Sequence, residues 1–325
     1  MCPSIQTLIL AVWLSCCAAC PALAQTYPDK PVRMVVPFPP GGAADLIGRV
    51  LAQRLSEQVG QPVIVDNRAG ASGNIGADAV VKAQGDGYTI LLGALTSHSI
   101  NHTLERKVLR YDLERDLTPV MIVASVPYVF VVHPSVPARS MQEFIAYARA
   151  KPGHLTYGSS GAGAPQRLAA EMFKLKTGID MLHVPYKGSG QVINDLIGGQ
   201  VLVAFESVPA ALPHIRAAKL RALAVTTAQR VPMLPDVPTM GEAASFNFEV
   251  SSIFGILAPA GTPKPIIQRL NSEFAQAVQL PDVKERLLQQ GAFVASTTPE
   301  EAAQRIRIEI AMWANVINEA NVKPD

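Results

Sequence analysis

Residues 32–45 run an apolar strand, Val32-Arg33-Met34-Val35-Val36, through the stiff turn Pro37-Phe38-Pro39-Pro40-Gly41-Gly42 and straight into Ala43-Ala44-Asp45 and a helix. The helix is predicted by Ile47, Leu51, Leu55 and Val59, which recur every fourth residue with Leu46 and Val50 beside them and Arg49, Gln53, Arg54 and Glu57 interleaved. A turn of this kind presents backbone N–H groups to an anion. Gly41 and Gly42 lack the Cβ atoms that would hold a ligand away from those amides, and the prolines fix φ on the approach. Phe38, Gly41, Gly42, Ala43, Ala44 and Asp45 are therefore candidate ligand contacts, although the same residues also suit an ordinary strand-to-helix connection.

The alternation of short apolar strands with helices continues. Strands are expected at 63–65 and 88–92 with a helix over about 75–83 between them, and such alternation builds a parallel sheet covered on both faces. A second series follows: a strand at 128–132, a helix opened by the capping box Ser140-Met141-Gln142-Glu143, a strand at 155–157, a helix after Pro165 and a strand at 181–184. A helix near 191–197 and strands at 201–205 and 221–225 complete it. From Pro263 onward the chain reads as helices, one opened by Thr298-Pro299-Glu300-Glu301. The pattern predicts an α/β protein of two lobes, each with a central, mostly parallel sheet. The chain crosses between lobes near 120–127 and returns over 246–259, so residues 25–124 and 251–325 form one lobe, 125–250 form the other, and the two crossings make a hinge with a cleft. There is no internal repeat of about 20 to 50 residues.

Residues 1–24 contain no Lys, Arg, Asp or Glu, and carry an apolar run at 8–14 before Ala22-Leu23-Ala24. This predicts a cleavable secretory signal; a retained membrane anchor is the competing reading, and Leu14-Ser15-Cys16-Cys17 is an imperfect lipidation signal. Cys2, Cys16, Cys17 and Cys20 all fall inside this segment, so a mature chain has no thiol for disulfides, soft metals or nucleophilic attack. The remaining residues, roughly 300, suit two units of about 150 each. With 28 basic and 26 acidic residues and no long basic run, the chain has no electrostatic footprint for nucleic acid. No apolar stretch of about 18 residues follows Ala24.

The second lobe repeats the logic of the first turn in Gly158-Ser159-Ser160-Gly161-Ala162-Gly163-Ala164-Pro165. A strand ends, small residues follow, and Pro165 stands where the first turn of a helix tolerates it. The helix dipole would favour a negative group there by about 0.3–1 kcal/mol. Ser159, Ser160, Gly161, Gly163 and Ala164 are the candidates, and one anion clamp per lobe is a natural grip for a dicarboxylate. Loops of similar character follow two further strands, contributing Asn74 in Arg68-Ala69-Gly70-Ala71-Ser72-Gly73-Asn74-Ile75-Gly76 and Ser97 in Gly93-Ala94-Leu95-Thr96-Ser97-His98. In open α/β sheets ligands lie outside the carboxyl ends of the strands, where all these loops fall. Each loop taken singly is equally compatible with a plain turn or cap.

Lys187, in Tyr186-Lys187-Gly188-Ser189-Gly190, could neutralise a carboxylate at the cleft or simply be solvated. Glu206 could hold an amine, bind a bridging water or bond neighbouring backbone. His98 and His102 have metal-ligand spacing without an acidic residue between them, and a structural pair is the favoured reading, so no metal or cofactor is expected. Neither a Gly-x-Ser-x-Gly elbow, a His-Glu-x-x-His motif nor a Walker A loop occurs, and Gly161-Ala162-Gly163 does not extend into a full dinucleotide fingerprint. A secreted hydrolase or lyase using Ser159 or Ser160 with a distant histidine is the rival from another class.

The chain resembles the Bug receptors, the periplasmic substrate-binding proteins associated with tripartite tricarboxylate transporters. The resemblance rests on Pro31 through Gly42 with Asp45, Asn67 through Gly76, Asp86-Gly87-Tyr88-Thr89, Val184 through Gly188, Leu212-Pro213-His214-Ile215-Arg216, Leu234 through Thr239, and Ala258 through Pro263. It implies a two-lobed Venus-flytrap fold of the periplasmic-binding-protein kind, type II-like, without catalysis and located in the periplasm. It also implies that a ligand carboxylate is held through backbone amides and bridging waters at residues 38–45, with residues 159–164 closing from the other side. Glu206 stands where the family often has aspartate. The expected partners are a small carboxylate and a membrane transporter, or a sensor if the receptor serves signalling, with the protein itself a monomer. Dicarboxylates, aromatic acids, amino acids and nicotinate-like molecules all remain open as ligands.

Overall fold

The computed structural model describes residues 27–161 and 163–324, so the expectations for residues 1–24, the four cysteines included, lie outside the described residues. In chain order the first elements are β1 (Val32–Val36), α1 (Ala43–Val59), β2 (Val63–Asn67), a 3-10 turn (Ala71–Gly73), α2 (Asn74–Val81), β3 (Thr89–Ala94) and α3 (Leu95–Leu104). The long strand β4 (Leu117–Val132) follows, then α4 (Met141–Ala150), β5 (Leu155–Ser159), α5 (Pro165–Thr177), β6 (Met181–Pro185), α6 (Ser189–Ile197), β7 (Val203–Ser207), α7 (Val208–Arg216), β8 (Arg221–Val225) and α8 (Met240–Ala244). The chain finishes with β9 (Ser251–Pro259), α9 (Lys264–Gln279), α10 (Pro281–Gln289), β10 (Phe293–Val294) and α11 (Pro299–Glu319).

The strands lie in the order β2-β1-β3-β9-β4-β7-β5-β6, with β8 and β10 also on β4. The series β2-β1-β3 and β6-β5-β7 are parallel, as the alternating pattern predicts. Strands β4 and β9 enter antiparallel, so each half of the sheet is mixed rather than mostly parallel. The cause is topological: the strand that leaves one lobe and the strand that returns to it must run in opposite directions. Residues 117–127 of β4 pair with β9, and residues 128–132 pair with β7 and β8, so one continuous strand belongs to both halves.

Helix α1 buries Ile47, Leu51 and Leu55 against Met34, Val36, Ile90 and Leu92. Each such side chain removed from water contributes roughly 1.5–3 kcal/mol. The opposite face of that sheet packs Val35, Leu91 and Leu257 on Ala77 and Val80 of α2 and on Ile306 of α11. In the other lobe Phe130, Phe144, Phe173 and Phe205 form an aromatic centre, with Phe130 and Phe144 ring centroids 4.8 Å apart and Phe130 and Phe205 4.9 Å apart, both edge-on. Helix α11 straddles both cores, since Ala302 and Ile306 join the first whereas Trp313, Val316 and Ile317 join the aromatic one. The stretch 251–325 thus does not pack against a single core; its apolar periodicity predicts a buried stripe but not which partner the stripe meets.

Two buried threonines pin the crossings. Thr226 Oγ1 lies 3.1 Å from the Tyr128 amide and 2.6 Å from the Val250 carbonyl, tying β4 to the segment that enters β9. Thr96 Oγ1 accepts the Ile253 amide and donates to the Ser251 carbonyl, both at 3.0 Å, fixing the start of α3 to β9.

Candidate functional site

The turn after β1 is held from below. Asp45 is buried, and its Oδ2 accepts the Gly41 amide and Arg49 Nε, both at 2.9 Å, while its Oδ1 accepts Asn67 Nδ2 at 2.9 Å. Asn67 Nδ2 also reaches the Phe38 carbonyl at 3.2 Å. Burial pushes the Asp45 carboxyl up, but the hydrogen bonds from Arg49, Gly41 and Asn67 outweigh it and hold the group at about 2. Its side chain is therefore committed to shaping the turn, which leaves the backbone amide of Asp45 as the group it can offer a ligand. Gly41 sits at φ +85°, a left-handed conformation that a side chain would strain. Gly42 is the N-cap of α1 and provides no side-chain cap, so the amides of Ala43, Ala44 and Asp45, which precede the first intrahelical bond from Leu46 to Gly42, are free for an anion. Residues 39–43 are exposed.

The loop after β2 packs beside this turn. A Cβ on Gly73 would lie 3.2 Å from the Phe38 ring and 3.2 Å from the His98 ring, so the first, third and fourth predicted loops do converge. Gly70, Ala71, Ser72 and Gly73 are four consecutive residues with positive φ, at +133°, +46°, +51° and +94°. Non-glycine residues held in that region cost of order 1–3 kcal/mol each. The surrounding contacts enforce it: Asn101 Nδ2 donates to the Ser72 carbonyl at 3.3 Å and to Asn74 Oδ1 at 3.2 Å, and Tyr111 donates to Asn74 Oδ1 at 3.1 Å. Asn74 Nδ2 in turn donates to Glu105 at 3.0 Å. The Asn74 side chain is thus spent inside this network rather than presented to a ligand, correcting its expected role.

The segment 93–98, expected as a loop, is the end of β3 and the first turn of α3. Ser97 is half-buried in that turn, whose N-cap residue Ala94 has no capping side chain. Burial pulls His98 down to about 4, so its ring is neutral; Nδ1 meets the Tyr111 hydroxyl at 3.1 Å, and Nε2 has no partner. Among the described residues no group of three His, Cys, Asp or Glu is placed to hold a metal ion.

In the second lobe the turn after β5 leads to Ala164, the N-cap of α5, with Pro165 in the first turn and no side-chain cap. Gly161 and Gly163 shape this turn, and the Ala164 amide closes it by donating to the Gly161 carbonyl at 3.2 Å. Ser159 is 0% exposed; its Oγ lies 3.2 Å from the Gly161 carbonyl and 2.7 Å from His183 Nε2. A serine beside a histidine is what an acyl-transfer enzyme needs, but a hydroxyl sealed from solvent cannot reach a substrate carbonyl. Ser159 holds the turn, a correction to its reading as a ligand donor. Ser160 is half-buried and its Oγ donates to Gln166 Oε1 at 3.2 Å.

Across the cleft, a Cβ on Gly163 would lie 2.7 Å from Asn101 Oδ1, an atom that is buried and without a partner. Asn101 therefore touches the Ser72 loop on one side and the Gly163 turn on the other. Lys187 is exposed, with its backbone N–H on Gln191 Oε1 at 3.1 Å and no carboxylate paired to its ammonium among the described residues. Glu206 is 0% exposed at the end of β7, and neither carboxylate oxygen makes a hydrogen bond of ordinary geometry. Burial pushes it up to about 8, with the Ser189 hydroxyl and Ser207 amide pulling partly back.

Sequence reasoning passed over Asn101, Gln166, Ser189 and His183. The first could have been found from the helical periodicity of 95–104, which puts Asn101 one turn from His98 and Leu104; the others meet only through the tertiary fold. A cavity of about 430 Å³ lies elsewhere, lined among others by Met172, Phe248, Arg305 and Met312. No helix among the described residues is long and apolar enough to cross a membrane.

Residues 47–322 match the family model described as tripartite tricarboxylate transporter family receptor. The chain is 41% identical over 305 residues to protein BugT of Bordetella pertussis, covering 94% of both chains. A solved R. palustris protein with adipate superposes with a TM-score of 0.80 at 38% identity, covering 92% of this chain and 100% of that one. A Rhodopseudomonas palustris protein with bound malate gives 0.77 at 31% identity, covering 90% and 100%.

Proposed function

The chain belongs to the tripartite tricarboxylate transporter receptor family, and on that premise we propose that it is a periplasmic solute-binding receptor that traps a small carboxylate between two lobes. The observation that carries this reading is the pair of uncapped helix N-termini, α1 in one lobe and α5 in the other, joined across the cleft by the approach of Gly163 to Asn101. Helix α1 offers the free amides of residues 43–45 to a negative group, whereas at the start of α5 Pro165 has no N–H and the Ala164 and Arg167 amides donate to the Gly161 and Ala164 carbonyls; the dipole of each helix adds about 0.3–1 kcal/mol for an anion at its start. Relatives solved with adipate and with malate support a ligand with two carboxylates.

The lobes meet where β4 changes partners, between residues 127 and 128, and where the chain enters β9 at Ser251. A ligand touching both turns binds the closed arrangement better than the open one and shifts the population by that difference. The closed form then docks on a membrane transporter. Residues 1–24 direct export and are removed, and the mature receptor acts as a monomer.

Thermal-shift screening of mature protein against mono-, di- and tricarboxylates, followed by calorimetry, tests the reading. A ligand at about 100 times its Kd adds roughly 2.7 kcal/mol of stability. Such a gain raises Tm by about 5–10 °C in a protein of this size. A panel in which no carboxylate moves Tm contradicts the proposal.

A further inference from the structure

The connection from α3 to β4, residues 105–116, gathers cations around a cavity of about 260 Å³ lined among others by Arg106, Arg110, Tyr111, Asp112 and Arg115. The base of this connection is fixed. Tyr111 and Leu113 are buried in a first-lobe core with Leu109 packed against it, and the Leu109 amide donates to the Glu105 carbonyl at 3.0 Å. Arg106, Lys107 and Arg110 stand exposed on that base.

The acidic residues of the same stretch are engaged elsewhere. Asp112 Oδ1 accepts the Glu114 and Arg115 amides, both at 3.0 Å, and Asp116 holds the Arg115 guanidinium through two bonds of 2.8 Å and 3.0 Å. Glu105 accepts Asn74 Nδ2, and the exposed Glu114 is not in the cavity wall. Arg106, Lys107 and Arg110 therefore have no carboxylate paired to them among the described residues. Between these cations Val108 is 72% exposed, more than any other large hydrophobic side chain among the described residues. A scattered apolar residue on a surface is ordinary, but one flanked by three unpaired cations combines the two parts that bind a lipid leaflet: charge for the phosphates and an apolar tip for the acyl boundary.

We propose that residues 106–110 are a docking surface for an anionic phospholipid leaflet. Arg106 and Arg110 take headgroup phosphates, to which the planar guanidinium fork is matched, Lys107 adds to the attraction, and Val108 enters the boundary between headgroups and acyl chains. A fluid leaflet closes around a side chain as exposed as Val108, whereas an acidic protein would need a pocket shaped to it. The formal net charge of the whole chain is only +2, so attraction to an anionic surface has to come from this local cluster. The surface also reaches the cleft through one side chain, because Asn74 of the strained first-lobe loop bonds both Glu105 and Tyr111. Docking here holds that loop near the bilayer, where a membrane transporter collects the ligand. Leaflet binding goes beyond the carboxylate reading and is measured with nothing in the cleft.

The test is co-sedimentation of mature protein with vesicles of phosphatidylcholine containing phosphatidylglycerol, and with vesicles of phosphatidylcholine alone, at low salt. Wild type is expected to pellet with the anionic vesicles only, and to be released by salt of about 0.5 M. The double variant Arg106→Ala with Arg110→Ala is expected to partition about 25-fold more weakly, roughly fivefold for each cation removed. Val108→Asp is expected to weaken partitioning by about tenfold and Val108→Trp to strengthen it. Lys219→Ala, at an exposed lysine of the other lobe, is expected to stay within about twofold of wild type. All these positions are exposed, and unchanged thermal unfolding of each variant shows that the fold is kept. Equal pelleting with both kinds of vesicle, or a loss for Lys219→Ala as large as for the arginine pair, overturns the proposal. Binding to inorganic phosphate or to polyglutamate without binding to anionic vesicles overturns it as well, and so does no binding at all. Each of these failures leaves the carboxylate reading intact, since that reading is decided by the thermal-shift panel.

Discussion

Gly163 approaches Asn101 so closely that a methyl group in place of one of its hydrogens would stand 2.7 Å from Asn101 Oδ1. Since Gly163 belongs to the turn of one lobe and Asn101 to a helix that also braces the strained loop of the other, this contact sets how near the two turns can come. Gly163→Val is expected to lower stability by about 1–3 kcal/mol through overpacking and to weaken carboxylate capture. Asn101→Ala in the same chain should recover part of the stability loss, because it removes the atom that the new side chain strikes. Urea unfolding of the two single variants and the double variant checks this, and strict additivity would count against the contact.

Asp45 makes the first turn sensitive to acid. Its pKa falls from an ordinary 3.8 to about 2 in the folded protein, so it contributes stability above about pH 4 that is lost as pH falls toward 2. The shift corresponds to about 2 kcal/mol at neutral pH. Asp45→Asn should lose about that amount at pH 7 and little at pH 2, by denaturant titration at both.

Glu206 works in the opposite direction. Its folded pKa is raised from 4.5 to about 8, so the folded state holds a proton that the unfolded state has released, and stability declines as pH rises between those values. Glu206→Gln should flatten that decline and leave the protein more stable than wild type at about pH 8. Thermal unfolding from pH 5 to pH 8.5 measures the slope.

Ser72, at φ +51°, lies in the middle of four left-handed residues. Ser72→Gly is expected to be neutral or to stabilise by up to about 1 kcal/mol, whereas Ser72→Val should destabilise by about 1–3 kcal/mol because a β-branched side chain resists that conformation. Comparative Tm values for the two variants decide it.

Much of the architecture could be read from the residues. The periodicity of 46–59 predicts α1 with its buried Ile47, Leu51 and Leu55, and the Thr298–Glu301 capping box marks the start of α11, where both reciprocal bonds form. Where the reading fell short, the missing information was tertiary. Residues 120–127 read as a bare crossing because nothing local shows that they pair with β9, and the two halves of α11 serve different cores although their apolar spacing is the same. At the site, the turn of residues 37–42 and the helix start that follows it were legible from Pro and Gly alone. The side chains of Asp45, Asn74 and Ser159 read equally well as ligand contacts or as braces, because a short polar residue at a turn serves either purpose. Only the bonds to Gly41, Asn101 and Gly161 show which purpose each serves.

The most direct measurement is a crystal structure of the mature protein with a dicarboxylate taken from the screen. One carboxylate is expected within about 2.7–3.2 Å of the amides of residues 43–45. The other is expected at the turn around Ser160 and Gly163, with the lobes closed over both. A ligand seated in the cavity between Met172 and Met312, or a cleft turn filled by the protein's own side chains, would contradict it.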